Sequence, residues 1–310
     1  MEISEIIILY LVSYSEAKVT KVMLTRYTNS FAFRSGKFYH WILNRLPNPV
    51  FIPAPLSSFT LISITGKKYL SMLRENLNSI NSHWSHKPSV VLCSDGSMSP
   101  EEIKNSFNWW KAPLEVIHWE DSRNWALANG HDALASYCDK KPMGKKFCFV
   151  LHQASRFQRT LWCDADYLWF KDYTPPPDQP NFYMMATVDF QPAYDPAISA
   201  FRPQMETTQP FVNAGILWFC GNYASHPQTQ ERMKIIPPDG NHFTEQTWMA
   251  LNILENNFPL FPKEEIICAV DDQMSLRLSY PGKPWVARHY VGNIRHIFWR
   301  DALGLRLNIK

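Results

Sequence analysis

The stretch "TLWCDADYLWF", residues 160–170, places Asp164 and Asp166 inside an otherwise apolar run. Burying an unpaired carboxylate is costly. On a strand, residues two apart face the same side, so both carboxylates can converge on one point. Two carboxylates at one point repel unless a cation or a shared proton compensates. A divalent metal answers this, because oxygen ligands suit Mg²⁺ and Mn²⁺. The alternative is a surface strand end with two solvated aspartates. The neighbours Leu161, Trp162, Leu168, Trp169 and Phe170 weigh against it.

A second constellation lies near the C-terminal end, in "RHYVGNIRHIFW", residues 288–299. His289, Gly292 and Arg295 stand there at three-residue intervals. Histidine supplies a borderline nitrogen ligand. Glycine lets a backbone amide approach a phosphate. Arginine neutralises a diphosphate through paired contacts. Together with the upstream D-x-D, the segment reads as a phosphate and metal site rather than as a lone structural histidine.

The elements that position these residues alternate. "FTLISITG" reads as a strand and "KKYLSMLRENLNSINSHW" as a helix, with Tyr69, Leu73 and Leu77 at four-residue spacing. "SVVLCSDGS" and "LEVIHWED" read as strands, "DALASYCDKK" and "FCFVLHQASRF" as helices, and "RTLWCDADYLWF" as one strand. Later strands fall at "FYMMATVDF" and "FVNAGILWFCG". Such alternation builds an α/β domain, a mixed, mostly parallel Rossmann-like sheet with helices on both faces. Ligands in such sheets gather at the carboxyl ends of strands, where the aspartates stand.

Residues 3–45 read as helical, and the proline-rich "LPNPVFIPAP", residues 46–55, as a linker. The expected organisation is a helical N-terminal extension, 1–53, and a main domain, 54–310. The extension holds Lys18, Lys21, Arg26, Arg34, Lys37 and Arg45 against Glu2, Glu5 and Glu16, which accounts for the net charge of +3. A neutral main body argues against a nucleic-acid protein. The basic extension fits peripheral contact with an anionic membrane, or oligomerisation. "IIILYLVSYS" is too short to span a bilayer, and the acids before it do not fit a secretory signal. None of the six cysteines forms a C-x-x-C pair, so free thiols and a reducing, cytoplasmic setting are expected.

These motifs, in this order, resemble the nucleotide-sugar glycosyltransferases of the GT-A fold, and within them the retaining glycogenin and galactosyltransferase group, family eight. That group has D-x-D at mid-chain and H-x-x-G-x-x-K near its end; Arg295 stands here where lysine is usual. "FVNAGILWF" resembles its F-N-[AS]-G strand, with Asn213 and Gly215. "EQTWMALN" resembles its D-Q-x-x-x-L-N segment, with Glu245 for aspartate and Gln246 for the glutamine. "MMATVDF" resembles the strand after D-x-D, ending in Asp189, and "TGKKYLSMLRENLNSI" the first strand–helix unit, with Thr65 and Tyr69 against the nucleotide. The resemblance spans residues 59–299. It implies a metal-dependent enzyme with Mn²⁺ or Mg²⁺ on Asp164, Asp166 and His289. Thr65, Tyr69, Asp164, Asp166, Asn213, Gly215, Gly292 and Arg295 would hold the donor, a UDP-sugar first of all. Glu245, Gln246 and Asp189 would serve transfer to a glycan, lipid or protein acceptor.

Glu245 as a general base would give inversion; Gln246 beside the anomeric carbon would give retention, which the resemblance favours. Asn213 and Asp189 retain a plain reading as residues that end or cap strands. Two other classes compete. A haloacid-dehalogenase-like phosphohydrolase also uses D-x-D after an apolar strand, but near the start of its domain and without Tyr167 and Leu168 following. A glycosyltransferase-like binding protein with a disabled site would have no reason to keep Asp164, Asp166, His289, Glu245 and Gln246 together.

Overall fold

The first described element of the computed structural model is a helix, α1 (34–43). The described residues are 34–177, 182–270 and 285–308. Most of the expected extension, including "IIILYLVSYS", lies outside them.

A strand–helix alternation follows: β1 (Leu56–Thr65), α2 (Leu70–His83), β2 (Lys87–Ser94), α3 (Pro100–Ser106) and β3 (Leu114–His118). Helices α4 (Trp119–Ala128), α5 (Asp132–Lys140) and α6 (Pro142–Arg156) then carry the chain back to β4 (Arg159–Cys163) and β5 (Tyr167–Trp169). After them come β6 (Tyr183–Asp189), α7 (Pro196–Ser199), β7 (Phe211–Cys220), α8 (Pro227–Met233) and α9 (Thr244–Asn256). The described chain closes with β8 (Ile266–Cys268), β9 (Ala287–His289) and α10 (Arg295–Arg306).

Six strands form one sheet in the order β3-β2-β1-β4-β7-β6. The first four run parallel, and β7 is antiparallel to both of its neighbours. This is the mixed sheet expected from the alternation. Side chains along each strand alternate between two cores. Leu61, Leu92, Leu161 and Trp218 pack with α2 and α3 on one face. Ile62, Cys93, Trp162 and Leu217 pack with α5, α6 and α9 on the other. Strands buried on both faces read as near-continuous apolar runs, and β7 is buried along its whole length.

Three local readings change. The stretch 159–170 is not one strand: β4 ends at Cys163 in the large sheet, and β5 belongs to a second sheet ordered β5-β9-β8. Asp164 and Asp166 therefore occupy the turn between two sheets, and strand alternation is not what brings them together. "LEVIHWED" leaves the strand at His118 and enters α4, where Asp121 accepts the His118 amide. The proline-rich segment is anchored rather than loose: Asn81 on α2 accepts from the Ile52 amide and donates to the Val50 carbonyl.

Contacts divide the chain into two compact units: 47–269 with 283–289, and 1–46 with 270–282 and 290–310. Both sheets belong to the first. In the second, α1 packs on α10, with His40 stacked on Trp299 at 3.9 Å between ring centroids. Among the described residues, no helix is long and apolar enough to cross a membrane.

Candidate active site

Strand order reverses between β1 and β4, because the chain crosses from the β3 edge to the far side of β1. Such a switch point opens a crevice at the carboxyl ends of the strands. Asp164 follows the carboxyl end of β4 directly. Thr65 ends β1, and Tyr69 caps α2 in the turn beyond it. The two strand ends are tied together by Ser63, whose hydroxyl donates to the Cys163 carbonyl at 2.7 Å.

Pairing of β5 with β9 sets Tyr167 opposite His289, their rings stacked at 4.4 Å and 14°. His289 Nε2 then stands 3.3 Å from Asp166 Oδ1 and 3.9 Å from Asp164 Oδ2. One ligand atom from each of the three side chains lies within 4.8 Å of the others. Asp166 and His289 are buried, and Asp164 is partly exposed. Space for this cluster depends on Gly215. A Cβ there would lie 2.6 Å from His289 Cε1, 2.7 Å from the Tyr167 hydroxyl and 2.8 Å from Asn213 Oδ1.

Lys146, from the first turns of α6, reaches the same place. Its Nζ lies 3.1 Å from Asp164 Oδ1 and 3.4 Å from Glu245 Oε2, and it donates to the Ala214 carbonyl at 2.9 Å. Burial opposes its charge, yet Asp164 and Glu245 outweigh burial and hold the ammonium above its usual range. Burial pushes Glu245 up to about 7, with Lys146 opposing and Asp164 adding. Asp164 also moves up through burial, against Lys146 and with Asp166. His289 is pushed up to about 10: burial works against its charge, but contact with Asp166 prevails.

Strand β7 joins this cluster to the second group of expected residues. Gly215 accepts the Asp164 amide at 2.8 Å and donates its own amide to Asn213 Oδ1 at 2.9 Å. Asn213 Nδ2 donates to Asp189 Oδ2 at 2.9 Å. Gln246, in the first turn of α9, accepts the Ala214 amide at 3.3 Å and donates to the Ala193 carbonyl at 3.1 Å, with Asp189 Oδ2 at 3.5 Å. Asp164, Lys146, Glu245, Gln246, Asn213 and Asp189 therefore surround Ala214 and its two neighbours. Asn213 and Asp189 are both held here by side-chain bonds.

Thr65 and Tyr69 stand at the carboxyl end of β1 and the head of α2. Thr65 is buried and its hydroxyl has no partner. Gly292 opens a 3₁₀ turn and Arg295 begins α10, both in the second unit, while His289 belongs to the first. A Cβ on Gly292 would meet nothing within 4 Å, so packing does not require glycine there.

Lys146 was not among the residues singled out from the sequence. It stands directly before "FCFVLHQASRF", the stretch read as a helix, where a lysine is ordinarily solvated. Its place in the i, i+3, i+4 apolar stripe with Phe149 and Val150 was the available signal.

The donor set fits a divalent cation. Two carboxylate oxygens and an imidazole nitrogen, all within 4.8 Å of one another, could hold a divalent cation. One Glu245 oxygen is buried without a partner, so the site is not internally satisfied.

No family model matches the chain, and no curated protein sequence matches it. Solved structures do. Mouse xyloside xylosyltransferase 1 superposes with a TM-score of 0.53 at 13% identity, over 76% of this chain and 98% of that one. The bifunctional glycosyltransferase WbbM superposes with a TM-score of 0.52 at 15% identity, over 79% of this chain and 47% of that one. The glycosyltransferase GlyE of Streptococcus pneumoniae TIGR4 superposes with a TM-score of 0.50 at 13% identity, over 81% of this chain and 62% of that one. With its mixed sheet, its switch point and these structural neighbours, the chain has the GT-A glycosyltransferase fold.

Proposed function

We propose that this chain is a metal-dependent glycosyltransferase that moves a sugar from a nucleotide diphosphate, UDP first of all, to a glycan, lipid or protein acceptor with retention. The observation that carries it is the convergence of Asp164, Asp166 and His289 at the switch point of a GT-A fold. Structural neighbours named as xylosyltransferase and glycosyltransferase support the reaction class.

Asp164, Asp166 and His289 would hold Mn²⁺ or Mg²⁺, which supplies Lewis-acid neutralisation of a departing diphosphate. Lys146 adds a fixed cation beside Asp164, in a buried setting where charge is poorly screened. Thr65 and Tyr69 would meet the nucleoside, and Gly292 and Arg295, by their place in H-x-x-G-x-x-R, would serve the phosphates. Asn213 and Asp189 present a bonded amide and carboxylate for sugar hydroxyls.

The choice of retention rests on what stands at the head of α9. Gln246 is an amide and a poor base. Glu245 is only 1% exposed and paired with Lys146, which opposes its reaching an acceptor hydroxyl as a base. The acceptor proton then leaves with the departing phosphate oxygen on the same face of the sugar.

The test is product stereochemistry. With the donor found by screening nucleotide sugars for nucleotide release, the anomeric proton coupling of the product is read by NMR. An α-linked donor should give an α-linked product. Glu245→Gln should retain measurable turnover. A β-linked product, with turnover abolished in Glu245→Gln, would establish inversion with Glu245 as base.

A further inference from the structure

Helix α1 carries a feature that sugar transfer does not use. Arg34, Lys37, Phe38, Trp41 and Arg45 recur at three- and four-residue spacing and share one face of the helix and its C-terminal turn. All five are exposed, Phe38 at 57% and Trp41 at 51%. The opposite face is fixed: Leu43 is fully buried, His40 stacks on Trp299, and Gly36 lies so close to α10 that a Cβ would come within 2.8 Å of His296. The packing on α10 therefore decides which face turns outward.

The exposed face is ordered in a particular way. Phe38 and Trp41 lie parallel, 6.0 Å apart at 14°. The Arg45 guanidinium sits 3.7 Å over the Trp41 ring and donates to the Trp41 carbonyl. No acidic residue occurs anywhere between Glu16 and Glu75.

We propose that this face of α1 is a peripheral membrane-binding surface that seats on anionic phospholipid. Two large rings held at a helix surface cost free energy in water and gain it at a headgroup–acyl boundary. The flanking arginines, in a stretch of sequence without an acid from Ala17 to Arg74, match an anionic leaflet. A purely phosphate-bearing polymer would satisfy the arginines and leave the rings in water. An apolar protein groove would bury the rings and leave the charges unpaired. A membrane interface satisfies both, as for amphipathic helices that lie in the interface plane.

The full chain is sedimented with vesicles of phosphatidylcholine alone and of phosphatidylcholine mixed with phosphatidylglycerol, at low and high salt. Binding is expected only with phosphatidylglycerol and weakens with salt. Arg34→Gln/Arg45→Gln should bind about twenty-five-fold more weakly, about fivefold for each cation removed. Phe38→Ala/Trp41→Ala should bind at least about tenfold more weakly. Brominated lipid should quench the tryptophan fluorescence of the wild type, and less of it in Trp41→Phe. All these residues are exposed, so melting of the variants should match the wild type. Equal pelleting with neutral vesicles, absence of pelleting, or unchanged binding of both double variants would overturn the proposal. So would binding to duplex DNA as tight as to the anionic vesicles. Nucleotide release in vesicle-free solution is a separate readout, so failure here leaves the catalytic assignment intact.

Discussion

Lys146 is a buried cation that Asp164 and Glu245 share, with distances of 3.1 and 3.4 Å. Removing one partner of a buried charge group leaves the others uncompensated, which costs about 3 kcal/mol or more. Lys146→Met should therefore lower unfolding stability by about that amount in urea titration. Lys146→Met/Glu245→Gln should recover part of it, since these residues are coupled and their effects do not add. An unchanged urea midpoint in the single variant would show that the cluster does not depend on the lysine. At this scale the sequence was informative where a residue type is expensive in its context. Two aspartates in "LWCDADYLW", once buried among those apolar neighbours, call for a cation or a shared proton. Lys146 looked ordinary because a lysine at a helix start is usually solvated, and only the approach of β7 and α9 buries it.

The elements decide the site's geometry through one break in the chain. Between Cys163 and Tyr167 the backbone leaves one sheet and enters another, and the register of β5 on β9 delivers His289. An unbroken apolar run such as residues 160–170 gives no local sign of that break, so its reading as a single strand was the natural one. The parallel start of the sheet was legible from strand–helix alternation, whereas the short strands β8 and β9 carry too few residues to show a period. Helix α6 offers a second test, away from the site. Its His152 stacks on Trp125 of α4 at 5.4 Å and shares a hydrogen bond with Ser122. Burial, and then Arg156, bring His152 down to about 4. The unfolded chain thus binds more protons than the folded one between about pH 6.5 and 4. The contribution is fully present above pH 6.5 and is lost as pH falls through that window. The shift bounds it at about 3 kcal/mol, and partial exposure of the ring reduces this to about 1 kcal/mol. His152→Phe keeps the stack on Trp125 and removes the titration, so its stability should fall less steeply from pH 6.5 to 4. Identical pH profiles in chemical denaturation would contradict this.

At the scale of the molecule, the six-stranded sheet brings residues from β1, β4, β7, α6 and α9 to one end, while β9 adds the histidine. The GT-A fold accounts for where the cluster lies; the chemistry of Asp164, Asp166 and His289 accounts for what it would hold. The central claim is that donor binding depends on a divalent cation held by Asp164, Asp166 and His289. Isothermal titration of UDP into the full chain, with Mn²⁺ and then with EDTA, tests it without needing the acceptor or the sugar. Tight binding with Mn²⁺ is predicted for the wild type, at least about a hundredfold weaker in EDTA, corresponding to about 2.7 kcal/mol. Asp166→Asn, folded by the same melting criterion, should bind with Mn²⁺ no better than the wild type does in EDTA. UDP binding equally tight in EDTA, or undiminished in Asp166→Asn, would contradict the account.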